Sequence, residues 1–319
     1  RERIGRMVSK EGVMKGLSLK LRPTDVVITP FAKSGTTWLQ IMLAKHPSIS
    51  TCQETHLFSG YLAALQRSWR HHDGDARGVG LQAAVSRERF VALQRDFALS
   101  VLDSIGDTPV ILEKTPAHIT VVEQIREVLP EARFIHIIRD PRSVAASLAA
   151  AGKDWGRSWA STSAVQNARR WVSNVNDGLA LRRESGRTCF ELRYEDLLAD
   201  PAGHLREIFA WMDIDPSAEL CDRVAEETRI GKLQQASTAG TAWDLEKEPQ
   251  GFFRKGKADA WKEDLSAREI AVVEAIAGPL MDELGYRRET PGMSWRQAFE
   301  IRAREGLARR LASLAVKLQ

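Results

Sequence analysis

Short apolar runs rich in β-branched residues recur along the first two thirds of the chain, and helical spacings follow them. Residues 26–28, 109–112, 133–138 and 188–192 have the length and content of buried strands. Helical periodicity predicts helices over 36–44, 90–102, 119–128, 164–181, 202–212, 218–228 and 267–284. The pattern Phe58, Tyr61, Leu62, Leu65, Trp69 adds one more, within a stretch (48–103) that shows no strong strand. Another opens at Pro141, a residue suited to a first helical turn, and continues through Val144, Ala145 and Leu148. Strands alternating with helices at this spacing predict an α/β fold with a parallel central sheet flanked by helices.

The ends of the chain read differently. Residues 1–24 mix basic and apolar residues in a short helical extension weakened by Gly12 and Gly16. At the other end, Trp295, Phe299, Ala303, Leu307, Leu311, Leu314 and Leu318 recur at intervals of four or three, so 291–319 reads as an amphipathic helix. Such a stripe packs on its own domain, on a second copy of the chain as in a homodimer, or on an anionic membrane surface drawn by its arginines. Residues 25–290 form the main domain, with a Gly/Thr/Pro-rich loop over 236–251.

Composition narrows the function classes. With 46 basic and 42 acidic residues, a net charge of +4 gives no argument for nucleic acid. No apolar run has membrane-spanning or signal-peptide length. Cys52, Cys189 and Cys221 are far apart and in no metal or redox spacing, which predicts reduced thiols and a cytoplasmic location. His71-His72-Asp73, followed by Gly74 and Gly78, reads as a solvated turn before a metal site.

Candidate chemistry gathers where the first strand meets the first helix. Lys33-Ser34-Gly35-Thr36-Thr37 places a cation, three hydroxyls and a permissive glycine on a strand-to-helix turn. The first turn of a helix offers free N–H groups and the positive end of a dipole, so this is an anion cradle. It is not a nucleoside-triphosphatase loop, because Lys33 precedes Gly35 and Thr36 stands where that lysine would be. The third strand ends in Arg139 and the fourth in Tyr194, at the edge where open parallel sheets bind ligands.

Lys33-Ser-Gly-Thr-Thr-Trp38 resembles the 5′-phosphosulfate loop of sulfotransferases, which take sulfuryl from 3′-phosphoadenosine 5′-phosphosulfate (PAPS) and release 3′,5′-adenosine bisphosphate (PAP). Phe31-Ala32 replaces the usual Tyr-Pro before the lysine. Arg139 with Ser147 is similar to that family's 3′-phosphate site, and Tyr194-Glu-Asp-Leu to its adenine-side motif. Thr228 falls in the matching adenine-edge segment. Phe253-Arg254-Lys255-Gly256 is similar to the late element covering the 3′-phosphate, although Asp259-Ala260-Trp261 departs from the usual Gly-Asp-Trp. Trp38 stacks on the base in this pattern, while an ordinary core tryptophan explains it equally well. These motifs run in order over about residues 25–285. The resemblance implies a P-loop-like nucleotide-binding architecture, PAPS as donor and no metal.

It also implies that Lys33 neutralises charge growing on the leaving phosphate oxygen, and that a general base deprotonates the acceptor. Pro116 stands where the small-molecule branch has a histidine, which leaves the base open. Glu54, in a Glu-Thr-His56-Leu-Phe58 run similar to the carbohydrate-type enzymes, and His118 are the candidates, with Glu113 third. Phe31, His56, Phe58 and Trp155 are expected to meet a small apolar acceptor. The family's dimer motif is only partly matched: Lys262 and Ser266 fit, Ala267 and Ala271 do not. A nucleotide kinase and a non-catalytic PAP sensor are the rival readings.

Overall fold

The computed structural model describes residues 26–28, 33–72, 79–235 and 256–290. The expectations for Phe31, Phe253, Arg254, Lys255, the loop 236–251 and both chain ends therefore lie outside the described residues, and so does Asp73.

Five strands form one all-parallel sheet: β1 (Val26–Ile28), β2 (Ile49–Thr51), β3 (Val110–Glu113), β4 (Arg133–Ile138) and β5 (Cys189–Arg193), in the order β2-β3-β1-β4-β5. β1 is central, with Val27 opposite Leu112 of β3 on one side and Arg133 of β4 on the other. Every residue of β3 is buried, and all of β4 after Arg133. Such two-sided burial is why these strands read as continuous apolar runs.

Helices along the chain are α1 (Thr36–Leu43), α2 (Ala63–His72), α3 (Arg87–Asp103), α4 (Val122–Val128), α5 (Pro141–Lys153), α6 (Ala164–Ser185), α7 (Tyr194–Ala199), α8 (Pro201–Trp211), α9 (Ala218–Glu227), α10 (Ile230–Gln235), α11 (Trp261–Asp264) and α12 (Ala267–Glu283). The main core joins β2, β3, β4 and β5 to α1, α3, α4, α8 and α9. A second group of apolar side chains locks α5, α6 and α12 together. Side-chain caps explain several starts: Ser86 accepts from Arg89 N, Asp140 from Arg142 N and Asp200 from Gly203 N, while Ser266 and Glu269 form a reciprocal box. No described helix is long and apolar enough to cross a membrane.

Several elements depart from the sequence expectation, among them the short helices α7, α10 and α11 and a 3₁₀ start, Pro116–Val121, to the helix expected over 119–128. Two lie beside the site. β2 is a strand where none was legible, because it is three residues long and pairs only with β3. Its Thr51 is buried but satisfied, donating to Leu112 O at 2.7 Å and accepting from Gln40 Nε2 at 2.6 Å. The helix expected from Phe58 begins as a wide π-type segment, Leu57–Leu62, before α2. Neither pattern has a signature in apolar spacing.

Because all strands run the same way, the ends of β1 to β5 and the loops after them lie along one edge of the sheet. The connection after β1 runs out to β2 on one side and the connection after β3 crosses β1 to reach β4 on the other, which opens a crevice beside β1.

Candidate active site

The turn after β1 is built around backbone shape. Lys33 has φ of 59° and Gly35 φ of 100°. A side chain at Gly35 would run into the ring of Tyr194, so glycine is required there for both conformation and space. α1 starts at Gly35 with no side-chain cap, unlike the helices capped by Ser86 or Asp140. Among the described residues no side chain caps its first N–H groups, a start suited to an anionic ligand. Thr36, Thr37 and Trp38 are buried and face a cavity of about 500 Å³, which Lys33 and Gly35 also line. Ser34 instead borders a separate small void between α5 and α6.

The end of β4 supplies the next wall. Arg139 lies with its guanidinium 4.1 Å from the centre of the Tyr194 ring, and Tyr194 meets Trp38 edge-on at 5.7 Å. Arg139 Nε is buried and has no hydrogen-bond partner among the described residues. Its neighbour Arg142 is structural: it is forked on Asp140, bonded to Glu274 at 2.6 Å and stacked on Trp261. Of the arginines in Arg-Asp-Pro-Arg, only Arg139 lines the cavity. Glu195 ties the ends of β4 and β5 together, accepting from Asp140 N and from Tyr286 Oη. Ser147 lines the cavity from α5, as does Ser143, which donates to Ala258 O at 2.9 Å and so holds the segment carrying Gly256 and Lys257 over it.

Across the cavity stand Glu54 and His56, on the loop after β2. Glu54 Oε1 accepts from Lys114 Nζ at 2.7 Å, and Glu54 Oε2 is 3.8 Å from His56 Nε2. The Lys114 side chain is 2% exposed and that of Glu54 37%. Behind them lies a buried polar cluster. Glu113 Oε1 accepts from Thr55 Oγ1 at 2.7 Å and Thr115 Oγ1 at 2.6 Å, and Glu113 Oε2 is 3.1 Å from His118 Nε2. Burial by itself would raise the Glu113 carboxyl. The bond and charge of His118, with the hydroxyls of Thr115 and Thr55, outweigh it and hold the group below its ordinary value.

His118 is fully buried, with Nδ1 3.1 Å from Ser59 Oγ and its ring edge-on to Phe58, and it does not line the cavity. Its placement suits an anchor for the loop after β2 and gives no path to an acceptor. Phe58, expected at the acceptor, is likewise fully buried in the core. Thr228 is buried behind Trp38, whose Nε1 donates to Thr228 O at 2.8 Å. Trp155 does line the cavity, joined by Trp159; Lys33 Nζ lies 4.3 Å from the Trp155 ring centre and 5.5 Å from that of Trp159. Sequence reasoning missed Arg170, Lys257 and Trp261 as cavity residues; they arrive through the packing of α6, of α11 and of the segment leading into α11.

The family described as "Sulfotransferase family" matches residues 24–218. Nodulation protein NoeE of Sinorhizobium fredii is 25% identical over 280 residues, covering 80% of this chain and 64% of the relative. Protein-tyrosine sulfotransferase A of Caenorhabditis elegans is 23% identical over 265 residues, covering 80% of this chain and 65% of that one. The chain thus spans just under two thirds of the length of these relatives. Among solved structures, mouse sulfotransferase SULT7A1 complexed with PAP superposes with a TM-score of 0.54 at 14% identity, over 82% of this chain and 85% of that one. The sulfotransferase domain from the curacin biosynthetic pathway gives 0.53 at 17% identity, over 84% and 99%. At these identities the structures establish the shared fold.

Proposed function

The chain belongs to the sulfotransferase family, and on that premise we propose that it moves a sulfuryl group from PAPS to a hydroxyl or amine of a small apolar acceptor, releasing PAP. The observation that carries the reading is the pairing, in one cavity, of an uncapped helix start beside Lys33 with the Glu54 carboxylate opposite. Three features fit a bisphosphorylated adenosine: the buried Arg139 Nε with no described partner, the space kept by Gly35, and the aromatic wall of Trp38 and Tyr194. Their proposed roles follow their chemistry. Thr36 and Thr37 with the N–H groups of α1 hold the 5′-phosphosulfate. Arg139 and Ser147 hold the 3′-phosphate, a bidentate match for guanidinium. Tyr194 and Trp38 flank the base. By resemblance Phe253, Arg254, Lys255 and Gly256 cover that end of the donor, and the cysteines, free in the structure, support a reducing compartment such as the cytoplasm.

The bound donor supplies an activated sulfuryl group; the chain supplies alignment and charge. Lys33 offsets the negative charge that develops on the phosphate oxygen as the sulfuryl leaves. Glu54 takes the acceptor proton, with one carboxylate oxygen held by Lys114 so that the other stays available. Trp155 and Trp159 give the acceptor side an apolar wall. The names of relatives point to tyrosine hydroxyls and, for a Mycobacterium bovis sulfotransferase 26% identical over 189 residues, an omega-hydroxy-dihydromenaquinone. Both names imply a hydroxyl acceptor, which supports a hydroxyl as the accepting group. The test is a thermal shift with PAP against ATP plus magnesium, then turnover of PAPS with phenols, sterols, lipids and sugars. Stabilisation by PAP with sulfated product supports the proposal; stabilisation by ATP alone points to a kinase, and PAP binding without turnover to a sensor.

A further inference from the structure

Lys33 is the residue assigned to the leaving oxygen of the donor, yet its ammonium rests against the indoles of the loop after α5. It is 4.3 Å from the centre of Trp155 and 5.5 Å from that of Trp159, and the two rings stand 5.5 Å apart at 54°. An ammonium at these distances is held by the ring quadrupole, more firmly where water is excluded. Lys33 itself sits in a left-handed backbone conformation, φ 59°, which aims its side chain from the cradle into the cavity. Trp159 lines the same cavity while 44% exposed, so a ligand entering the cavity meets it. Its carbonyl accepts from Arg170 Nη1 at 3.4 Å, a tie between the loop and α6.

Resting on the reading of this cavity as a sulfuryl-transfer site, we propose that Trp155 and Trp159 are positioning residues that seat the Lys33 ammonium by cation–π contact, and that an apolar acceptor laid on the indoles takes over this seat and sends Lys33 to the donor. The seat and the acceptor wall are the same two rings. A ring face cannot hold an ammonium and an apolar body at one place, so the two compete. Without acceptor, Lys33 is kept partly away from the leaving oxygen. The unwanted reaction is thereby slowed: water oxygen bonds to sulfur, the bond from sulfur to the phosphate oxygen breaks, and sulfate, PAP and the two protons of the water go to solvent. With acceptor, the contact that retained Lys33 is lost at the moment transfer is possible.

The experiment needs no known acceptor. PAP release from PAPS in buffer alone is compared for wild type, Trp155→Phe, Trp155→Leu, and Trp155→Leu combined with Lys33→Met; PAP affinity of each by calorimetry reports a formed cavity. Trp155→Leu keeps an apolar side chain and removes the π face, so its hydrolysis rises by roughly tenfold, the scale of one lost cation–π contact. Trp155→Phe, which keeps a weaker π face, rises less than Trp155→Leu, and Lys33→Met cancels the rise in the double variant. Equal hydrolysis in wild type and Trp155→Leu, with PAP bound by both, overturns the seat. A rise that survives Lys33→Met also overturns it, since it shows a loosened cavity. Failure of the wild type to bind PAP at all refutes the donor reading instead.

Discussion

Glu54 and Lys114 meet at 2.7 Å, the carboxylate on the loop after β2 and the ammonium at the end of β3. The lysine is almost wholly buried and the carboxylate faces the cavity. An ammonium so placed cannot serve solvent. It fixes the direction of Glu54. Glu54→Gln should lower turnover by about 10²–10⁴, the usual worth of a general base, while PAP affinity holds. Lys114→Met should lower turnover too, by releasing the carboxylate. Wild-type turnover in Glu54→Gln removes Glu54 as the base.

Gly35 faces the Tyr194 ring with φ of 100°. An alanine there meets both a strained backbone, worth about 1–3 kcal/mol, and the ring itself. Gly35→Ala should weaken PAP at least about tenfold, equal to 1.4 kcal/mol, because the cradle must shift. Calorimetry of PAP binding checks it; unchanged affinity shows that the cradle tolerates a side chain and is not the phosphate site.

Arg139 is assigned to the 3′-phosphate. Arg139→Ala should weaken PAP strongly and leave adenosine 5′-phosphosulfate, which lacks that phosphate, nearly unaffected. Competition binding of the two ligands decides it, and equal losses reassign the arginine.

The parallel sheet was legible because β3 and β4 are buried on both sides and so are written as unbroken apolar runs. That Lys33, Gly35 and Arg139 line one cavity was legible because they end neighbouring strands of a parallel sheet, at the edge where ligands bind. Less was legible where the signal was burial. Phe58 reads equally as an acceptor contact or as core and is core; His118 reads as a candidate base alongside Glu54 and is fully buried against Glu113. A sequence gives the spacing of such side chains and not which side of a loop they face. Arg170 and Trp261 reach the cavity from different elements, α6 and α11, and only tertiary packing joins them.

The buried Glu113 and His118 pair makes stability sensitive to acid. The folded Glu113 carboxyl lies below its ordinary value, so the unfolded chain takes up that proton first as pH falls. Its contribution is complete above the ordinary glutamate value of about 4.3 and is lost as pH falls through the lower folded value. Denaturant unfolding of wild type and Glu113→Gln should show a gap in stability at about pH 5 that narrows by about pH 3. A gap that stays constant or widens in acid contradicts this role.

The central claim is that Lys33 stabilises the departure of a sulfuryl group from a donor held in the α1 cradle. Its most direct test is the rate of sulfuryl transfer from ³⁵S-labelled PAPS by wild type and Lys33→Met, with PAP affinity measured on the same samples. The account predicts a rate lower by about 10²–10³ with PAP still bound, the loss expected for one donor to developing charge. Transfer at the wild-type rate by Lys33→Met contradicts it.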